Sequence, residues 1–140
     1  MSKNDYTNMK GGFSTIKINL IEILKSLSHQ NRIRIINLLK QQQLCVCELE
    51  NIMGVNQSNA SRHLRKLKQV NLIKGNKKAQ WIYYSLNKDL FNQHNFLQSI
   101  LEDELDLLAI CQDDNHRLKK YQTSEISCKE LSDSDIFIKN

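Results

Sequence analysis

The sequence predicts a mostly α-helical domain from which one β-hairpin projects as a wing. Two short helical stretches, joined by a tight turn at Gly54, have the pattern of a helix-turn-helix. The pattern then changes between Leu72 and Leu86, where strand-forming residues are concentrated. A long helical pattern follows from Asp89, so we expect a helical body with a hairpin placed before its last helix.

The first helices follow a polar start. Residues 1–12 are expected to form a flexible arm. A first helix is predicted by apolar residues at helical spacing, namely Ile16, Leu20, Leu24 and Leu27. Ser28 is a favourable N-cap for a second helix over about 29–42. The predicted domain covers 13–118, and the polar residues 119–140 are expected to form a mobile tail.

The third and fourth helices carry clear end signals. Cys45 and Glu48 occupy the N-cap and N3 positions of a capping box, which opens the third helix. Gly54 is the residue type that most often ends a helix. Asn56 then caps a fourth helix, whose inner face is predicted to be Ala60, Leu64 and Leu67.

The wing and the last helix complete the expected domain. Strand-forming residues flank a turn predicted at 75–78. One continuous helix is predicted over about 89–118. Its apolar face is too broad for one small domain to cover, so we expect a partner subunit there: Leu97, Ile100, Leu101, Leu105, Leu107, Leu108 and Ile110.

Length and composition fit one folded domain, because the chain has 140 residues and 40% of them are hydrophobic. The start lacks an apolar signal segment, and no apolar run is long enough to span a membrane. A cytoplasmic location with no membrane partner is therefore expected. The four cysteines should then be reduced, as candidate ligands or core residues rather than a disulfide framework.

Charge is distributed unevenly along the chain, whose net charge is +5. No acidic residue occurs between Asn51 and Lys88, which is the stretch that holds the helix-turn-helix and the wing. This coincidence predicts binding to double-stranded DNA. For His63 a buried, structural role is the alternative. The candidate contacts to bases and phosphates are Gln57, Ser58, Asn59, Ser61, Arg62, His63 and Arg65 on the fourth helix, and Lys77 and Lys78 on the wing.

Cys45 and Cys47 form the candidate ligand site. Thiolates are soft donors, and a helix N-terminus favours the charged form of both groups. Residues two apart in a regular helix project in different directions, so holding one ion is expected to distort the first turn. That turn belongs to the helix supporting the fourth helix, which would couple ligand binding to DNA binding. Two core cysteines without a ligand role are the alternative.

These residues together resemble the ArsR/SmtB family of metal-responsive repressors over about residues 16–115. The resemblance implies a winged helix-turn-helix of order α-α-α-α-β-β-α, and a homodimer formed through the first and last helices. It also implies that the ligand-free protein binds an inverted-repeat operator. It rests on three motifs: Leu44-Cys45-Val46-Cys47-Glu48-Leu49, Ser58-x-x-Ser61-Arg62-His63-Leu64-x-x-Leu67 and Trp81-x-x-Tyr84-x-Leu86.

The first motif is similar to the arsenic-sensing branch, which implies trivalent arsenic or antimony as the inducer and no constitutive cofactor. That branch often has a third cysteine where Glu50 stands. Either two sulfurs suffice, or a third comes from Cys128 or Cys111. The positions that correspond to the zinc branch offer Glu104 alone as a ligand, since the residues there are Lys88, Leu90, Leu101 and Glu104.

Three other functions compete with this interpretation. A cadmium or lead sensor shares the Cys-Val-Cys motif, although that branch adds cysteines in its N-terminal arm and this arm has none. A thiol-dependent reductase needs a base beside its nucleophile, and no such motif accompanies Cys45 or Cys47. A DNA-binding protein with inert cysteines would not respond to thiophiles. The expected function is therefore regulatory, not enzymatic.

Overall fold

The computed structural model describes residues 19–124, so the predicted N-terminal arm and Cys128 lie outside the described residues. A π-helical turn, Ile100–Glu104, and a 3₁₀ turn, Leu105–Leu107, precede the last helix. The elements in chain order are α1 (Leu20–Leu27), α2 (Gln30–Gln41), β1 (Leu44–Cys45), α3 (Val46–Met53), α4 (Gln57–Gln69), β2 (Ile73–Lys78), β3 (Trp81–Leu86), α5 (Lys88–Gln93), α6 (Asn95–Ser99) and α7 (Ala109–Ser124).

One hydrophobic core joins the helices, with Phe91 as its largest buried side chain. The predicted inner face of α4 is confirmed, because Ala60, Leu64 and Leu67 are all buried. Helix α1 lies within the region predicted for the first helix. Ile23 and Leu27 are its buried apolar residues, whereas three others form an exposed apolar face: Leu20, Ile21 and Leu24.

The caps of the helix-turn-helix follow the sequence signals. Gly54 ends α3 in the left-handed region with a φ of 72°, where a side chain is disfavoured. Asn56 caps α4 by accepting a hydrogen bond from the backbone N–H of Asn59. The cap of α2 differs by one residue, because His29 occupies it and accepts from Asn31 N–H, while Ser28 ends α1.

The wing is an antiparallel hairpin of β2 and β3. The turn predicted at 75–78 is wrong, since β2 continues to Lys78 and the chain reverses at Ala79 and Gln80. Ala79 takes a φ of 55° there, and Lys77 and Lys78 keep their place next to the tip. Strand β1 adds to the other side of β3, so the sheet order is β1-β3-β2.

The last predicted helix is interrupted. His94 and Leu108 have extended backbone angles, which divide the region into α5, α6, the π and 3₁₀ turns and α7. Side-chain contacts replace the missing helical bonds: Lys40 donates to the carbonyl of Leu101, and Gln112 donates to that of Asp106. The interruption leaves Leu107 and Leu108 exposed rather than on one continuous stripe.

The last helix was predicted to end at about 118, whereas α7 continues to Ser124. A buried ion pair between Arg34 and Asp114 fixes α7 against α2. The rest of the predicted tail lies outside the described residues. Among residues 19–124, no helix is long and apolar enough to cross a membrane.

Candidate nucleic-acid interface and thiol site

Helix α4 presents a polar face at its N-terminal half. Gln57, Ser58, Arg62 and Arg65 are exposed. Asn59 and Ser61 are half-buried at the edge of this face. A shallow groove runs along the face and is lined by Asn56, Ser58, Asn59, Arg62 and Arg65. These donors and acceptors are those that read base edges and phosphates in a major groove.

His63 does not belong to that face. Its side chain is 2% exposed, and its ring centroid lies 4.3 Å from that of His29. A guanidinium nitrogen of Arg32 lies 3.3 Å from Nδ1 of His63. Burial, together with the positive charges nearby, lowers the pKa of His63 to about 4. The structural alternative for His63 therefore holds, because residue 63 shares the inward face of α4 with Ala60 and Leu64.

Lys77 and Lys78 are exposed at the end of β2, beside the tip of the wing. Lys78 pairs with Trp81 and Lys77 pairs with Ile82, so the two lysines project from opposite faces of the hairpin. The Nζ atom of Lys78 lies 5.6 Å from the ring centroid of Tyr83. The wing thus offers two cations at one end but in different surroundings.

The sulfurs of Cys45 and Cys47 lie 3.5 Å apart. Cys45 is the last residue of β1 and the N-cap of α3, with extended backbone angles. This cap conformation brings the two sulfurs together while α3 keeps its first turn. The pair forms a small cluster of its own, against which Trp81 and Tyr83 of β3 pack.

Glu48 forms hydrogen bonds that fix the backbone beside Cys45 and Cys47. It completes the predicted capping box, because its Oε1 accepts from Cys45 N–H at 2.8 Å and the Cys45 side chain accepts from the N–H of residue 48. The hydroxyl of Tyr121 donates to Oε2 of Glu48 and ties the end of α7 to the start of α3. Asn51 donates to the carbonyl of Cys47. The sequence indicated the capping box, whereas nothing local marked Tyr121 as part of the site.

Burial governs the acidity of Cys45. Its side chain is 1% exposed, and desolvation, with the Glu48 carboxylate adding to it, raises the pKa of Cys45 to about 12. The expectation that the helix N-terminus makes this thiol a ready thiolate is therefore wrong. Cys45 is a free thiol, while Cys47 is disulfide-bonded, so the expectation that all cysteines are reduced also fails.

The candidate third sulfurs differ in position. Cys111 lies in the main core, not in the cluster of Cys45 and Cys47, and desolvation raises its pKa. Cys128 lies outside the described residues. Within 19–124, no three Cys, His, Asp or Glu side chains are grouped as a metal site. The part of the chain that the structure describes therefore offers a pair of sulfurs in one place.

Comparison with known proteins agrees with this architecture. Residues 29–74 match the profile of the bacterial regulatory protein, arsR family. An arsenic resistance transcriptional regulator of Pseudomonas putida is 36% identical over 90 residues, which are 63% of this chain and 78% of that protein. A homologue of the cadmium resistance transcriptional regulatory protein in Staphylococcus aureus is 34% identical over 77 residues, or 54% of this chain and 64% of that protein.

Solved structures show the same fold. Reduced HlyU from Vibrio cholerae superposes with a TM-score of 0.54 at 26% identity, covering 64% of this chain and 88% of that chain. A homodimeric winged helix-turn-helix DNA-binding domain from Mycobacterium bovis gives a TM-score of 0.54 at 20% identity and covers 78% and 94%. This chain therefore belongs to the ArsR family of bacterial regulatory proteins and is a winged helix-turn-helix, DNA-binding transcriptional regulator, not an enzyme.

Proposed function

We propose that the chain is a metalloid-responsive repressor, released from operator DNA when trivalent arsenic or antimony binds Cys45 and Cys47. The observation that carries the proposal is the sulfur separation of 3.5 Å at the junction of β1 and α3. With metal–sulfur bonds of about 2.3 Å, this separation corresponds to an angle of about 100° at the ion. That angle suits a pyramidal three-coordinate ion, and thiolates select such soft ions.

DNA binding is assigned to the polar face of α4 and to the wing. The N-terminal half of α4 would enter the major groove, with Arg62 reading a base edge. Lys77 and Lys78 would contact phosphates and add affinity without sequence preference. This division agrees with the exposure of these side chains on α4 and at the end of β2.

A homodimer on an inverted repeat follows from symmetry, because two recognition helices related by a two-fold axis meet two half-sites. Support comes from the exposed apolar face of α1 and from the homodimeric assembly of the Mycobacterium bovis domain. Leu107 and Leu108 add exposed apolar surface beside α7. A second copy would cover these surfaces.

Release is coupled to ligand binding at Cys45. An ion held by its sulfur displaces the capping bond that this sulfur accepts at the start of α3, and α3 packs against α4. Binding also requires Cys47 in its reduced form and the loss of the Cys45 thiol proton. The ligand thus alters the helix that positions the DNA-reading face.

A cadmium or lead sensor is the second candidate. The similarity to the Staphylococcus aureus cadmium resistance regulator favours it, and thiolates bind these ions as well. The two candidates make the same assignment for DNA binding and differ only in the ion that causes release.

The test is fluorescence anisotropy of the reduced protein on its upstream DNA, titrated separately with arsenite, cadmium and zinc. We expect selective release by arsenite, abolished in Cys45→Ser and in Cys47→Ser. Cys111→Ser is the matched control and should be released like the wild type. Release by cadmium alone supports the second candidate, while release by no ion contradicts both.

A further inference from the structure

We propose that Tyr83 is the positioning residue through which the thiol pair controls the wing, so that ligand binding also releases DNA at the hairpin. This inference rests on the proposed function and assigns it a second route of transmission. The first route runs from Cys45 through α3 to α4, whereas the second runs across the sheet. Tyr83 packs against the sulfurs of Cys45 and Cys47 and lies near the Nζ atom of Lys78.

The backbone supplies the first contact. Cys45 is paired with Tyr83 in the register of β1 and β3, and the only other pair of this ladder is Leu44 with Tyr84. A ladder of two pairs is easily lost, because few interactions hold it. Any shift of Cys45 that accompanies ligand binding is therefore passed directly to the middle of β3.

The side chains supply the second contact. Trp81 and Tyr83 pack against the sulfur pair. Lys78 lies diagonally across the hairpin from Tyr83, on the same face of the sheet, with its Nζ 5.6 Å from the ring centroid. The Tyr83 ring thus packs against the sulfur pair and also lies under the ammonium group of Lys78.

Ligand binding would act on Lys78 through the ring. An ion on the pair needs space within a cluster that is closed, since Cys45 and Cys47 are 1% and 7% exposed. Trp81 and Tyr83 are the half-buried neighbours of the pair, and Tyr83 is the one that is also paired with Cys45 in the sheet, so we infer that it moves when an ion binds. Displacing the Tyr83 ring would break its cation–π contact with Lys78 and weaken the phosphate contact of that lysine.

The wing offers a matched pair of variants. Lys77 and Lys78 are adjacent cations, but Lys77 pairs with Ile82 and projects from the other face. Both Lys77→Gln and Lys78→Gln should weaken ligand-free binding to DNA. The quantity to compare is the release ratio, defined as the operator Kd with arsenite divided by the Kd without it. We expect Lys78→Gln to reduce this ratio by about two- to thirtyfold, as for other residues on a coupling route, and Lys77→Gln to leave it unchanged.

Variants at residue 83 test the ring itself. Tyr83→Phe keeps the aromatic face and should retain the wild-type ratio. In the reduced protein, Tyr83→Leu should reduce the ratio while arsenite still binds both thiols, as counted by protection of the thiols from a colorimetric reagent. Trp81 is the sole tryptophan of the chain, so its emission reports arsenite binding beside the pair.

The outcomes separate the two proposals. Equal release ratios in the wild type, Lys78→Gln and Tyr83→Leu would overturn the role of Tyr83 and leave the proposed function intact. A wild type that binds operator but is not released by arsenite would overturn the proposed function itself. If Tyr83→Leu does not fold, the comparison of Lys77→Gln with Lys78→Gln decides the matter alone, because both changes are on exposed side chains.

Discussion

At the scale of single residues, Glu48 connects three parts of the molecule. Its carboxylate is 6% exposed and accepts hydrogen bonds from the backbone of Cys45 and from the hydroxyl of Tyr121. A buried carboxylate needs such partners, because an unsatisfied charge in the interior is costly. The two hydrogen bonds of Glu48 hold the start of α3 against the end of α7.

Removing the hydroxyl of Tyr121 should therefore destabilise the fold. We expect Tyr121→Phe to lower the free energy of unfolding by about 2 kcal/mol, the range for a hydrogen bond to a charged group. Urea denaturation measures this loss. In a Glu48→Gln background, Tyr121→Phe should lower the free energy of unfolding by clearly less. An equal loss in both backgrounds would show that the hydrogen bond to Glu48 is not its cause.

His63 provides a prediction on pH. Its folded pKa of about 4 is depressed below the ordinary 6.5, so the unfolded chain takes up a proton first as the pH falls. The free energy of unfolding therefore has its full value above about pH 6.5, where the imidazole is neutral in both states. It falls by about 1–3 kcal/mol as the pH is lowered towards 4. Unfolding in urea at pH 7 and pH 5 checks this. His63→Leu should be the less pH-sensitive protein, and an unchanged pH dependence would contradict the assignment.

At the scale of elements, the wing turn holds a residue in an unfavourable conformation. Ala79 has a φ of 55°, a region in which glycine avoids the steric cost of a side chain. Ala79→Gly should therefore raise the free energy of unfolding by about 1 kcal/mol. Gly54 is the matched opposite, with a φ of 72° and no atom within 4 Å of an added Cβ. Gly54→Ala should lower stability by about the same amount, and equal signs for the two changes in thermal unfolding would refute the conformational explanation.

At the scale of the whole molecule, the exposed apolar face of α1 predicts self-association. Leu24 belongs to this face and is 46% exposed in the single chain. We expect Leu24→Glu to shift the protein towards monomers in sedimentation experiments and to weaken operator binding, because a buried unpaired charge opposes docking. Lys25→Glu introduces the same side chain one position away and should remain dimeric. Two equally dimeric variants would place the interface elsewhere.

The elements defined by local signals were predictable. The capping box at Cys45 and Glu48, the glycine at the end of α3 and the asparagine at the start of α4 all act within a few residues. The apolar spacing of α4 also identified its buried face correctly. Each of these features depends on neighbours in sequence, so one chain suffices to recognise it.

Local signals therefore predict the mostly helical fold with its wing, the polar and basic outer face of α4 and the position of the two cysteines at the start of α3. The burial of Cys45, the inward position of His63, the contact of Tyr121 with Glu48 and the interruption of the last helix depend on tertiary packing. The physical reason is that desolvation and contacts between distant segments arise only after the chain packs. Such terms outweigh local preferences such as the helix dipole, which alone favoured a thiolate at Cys45.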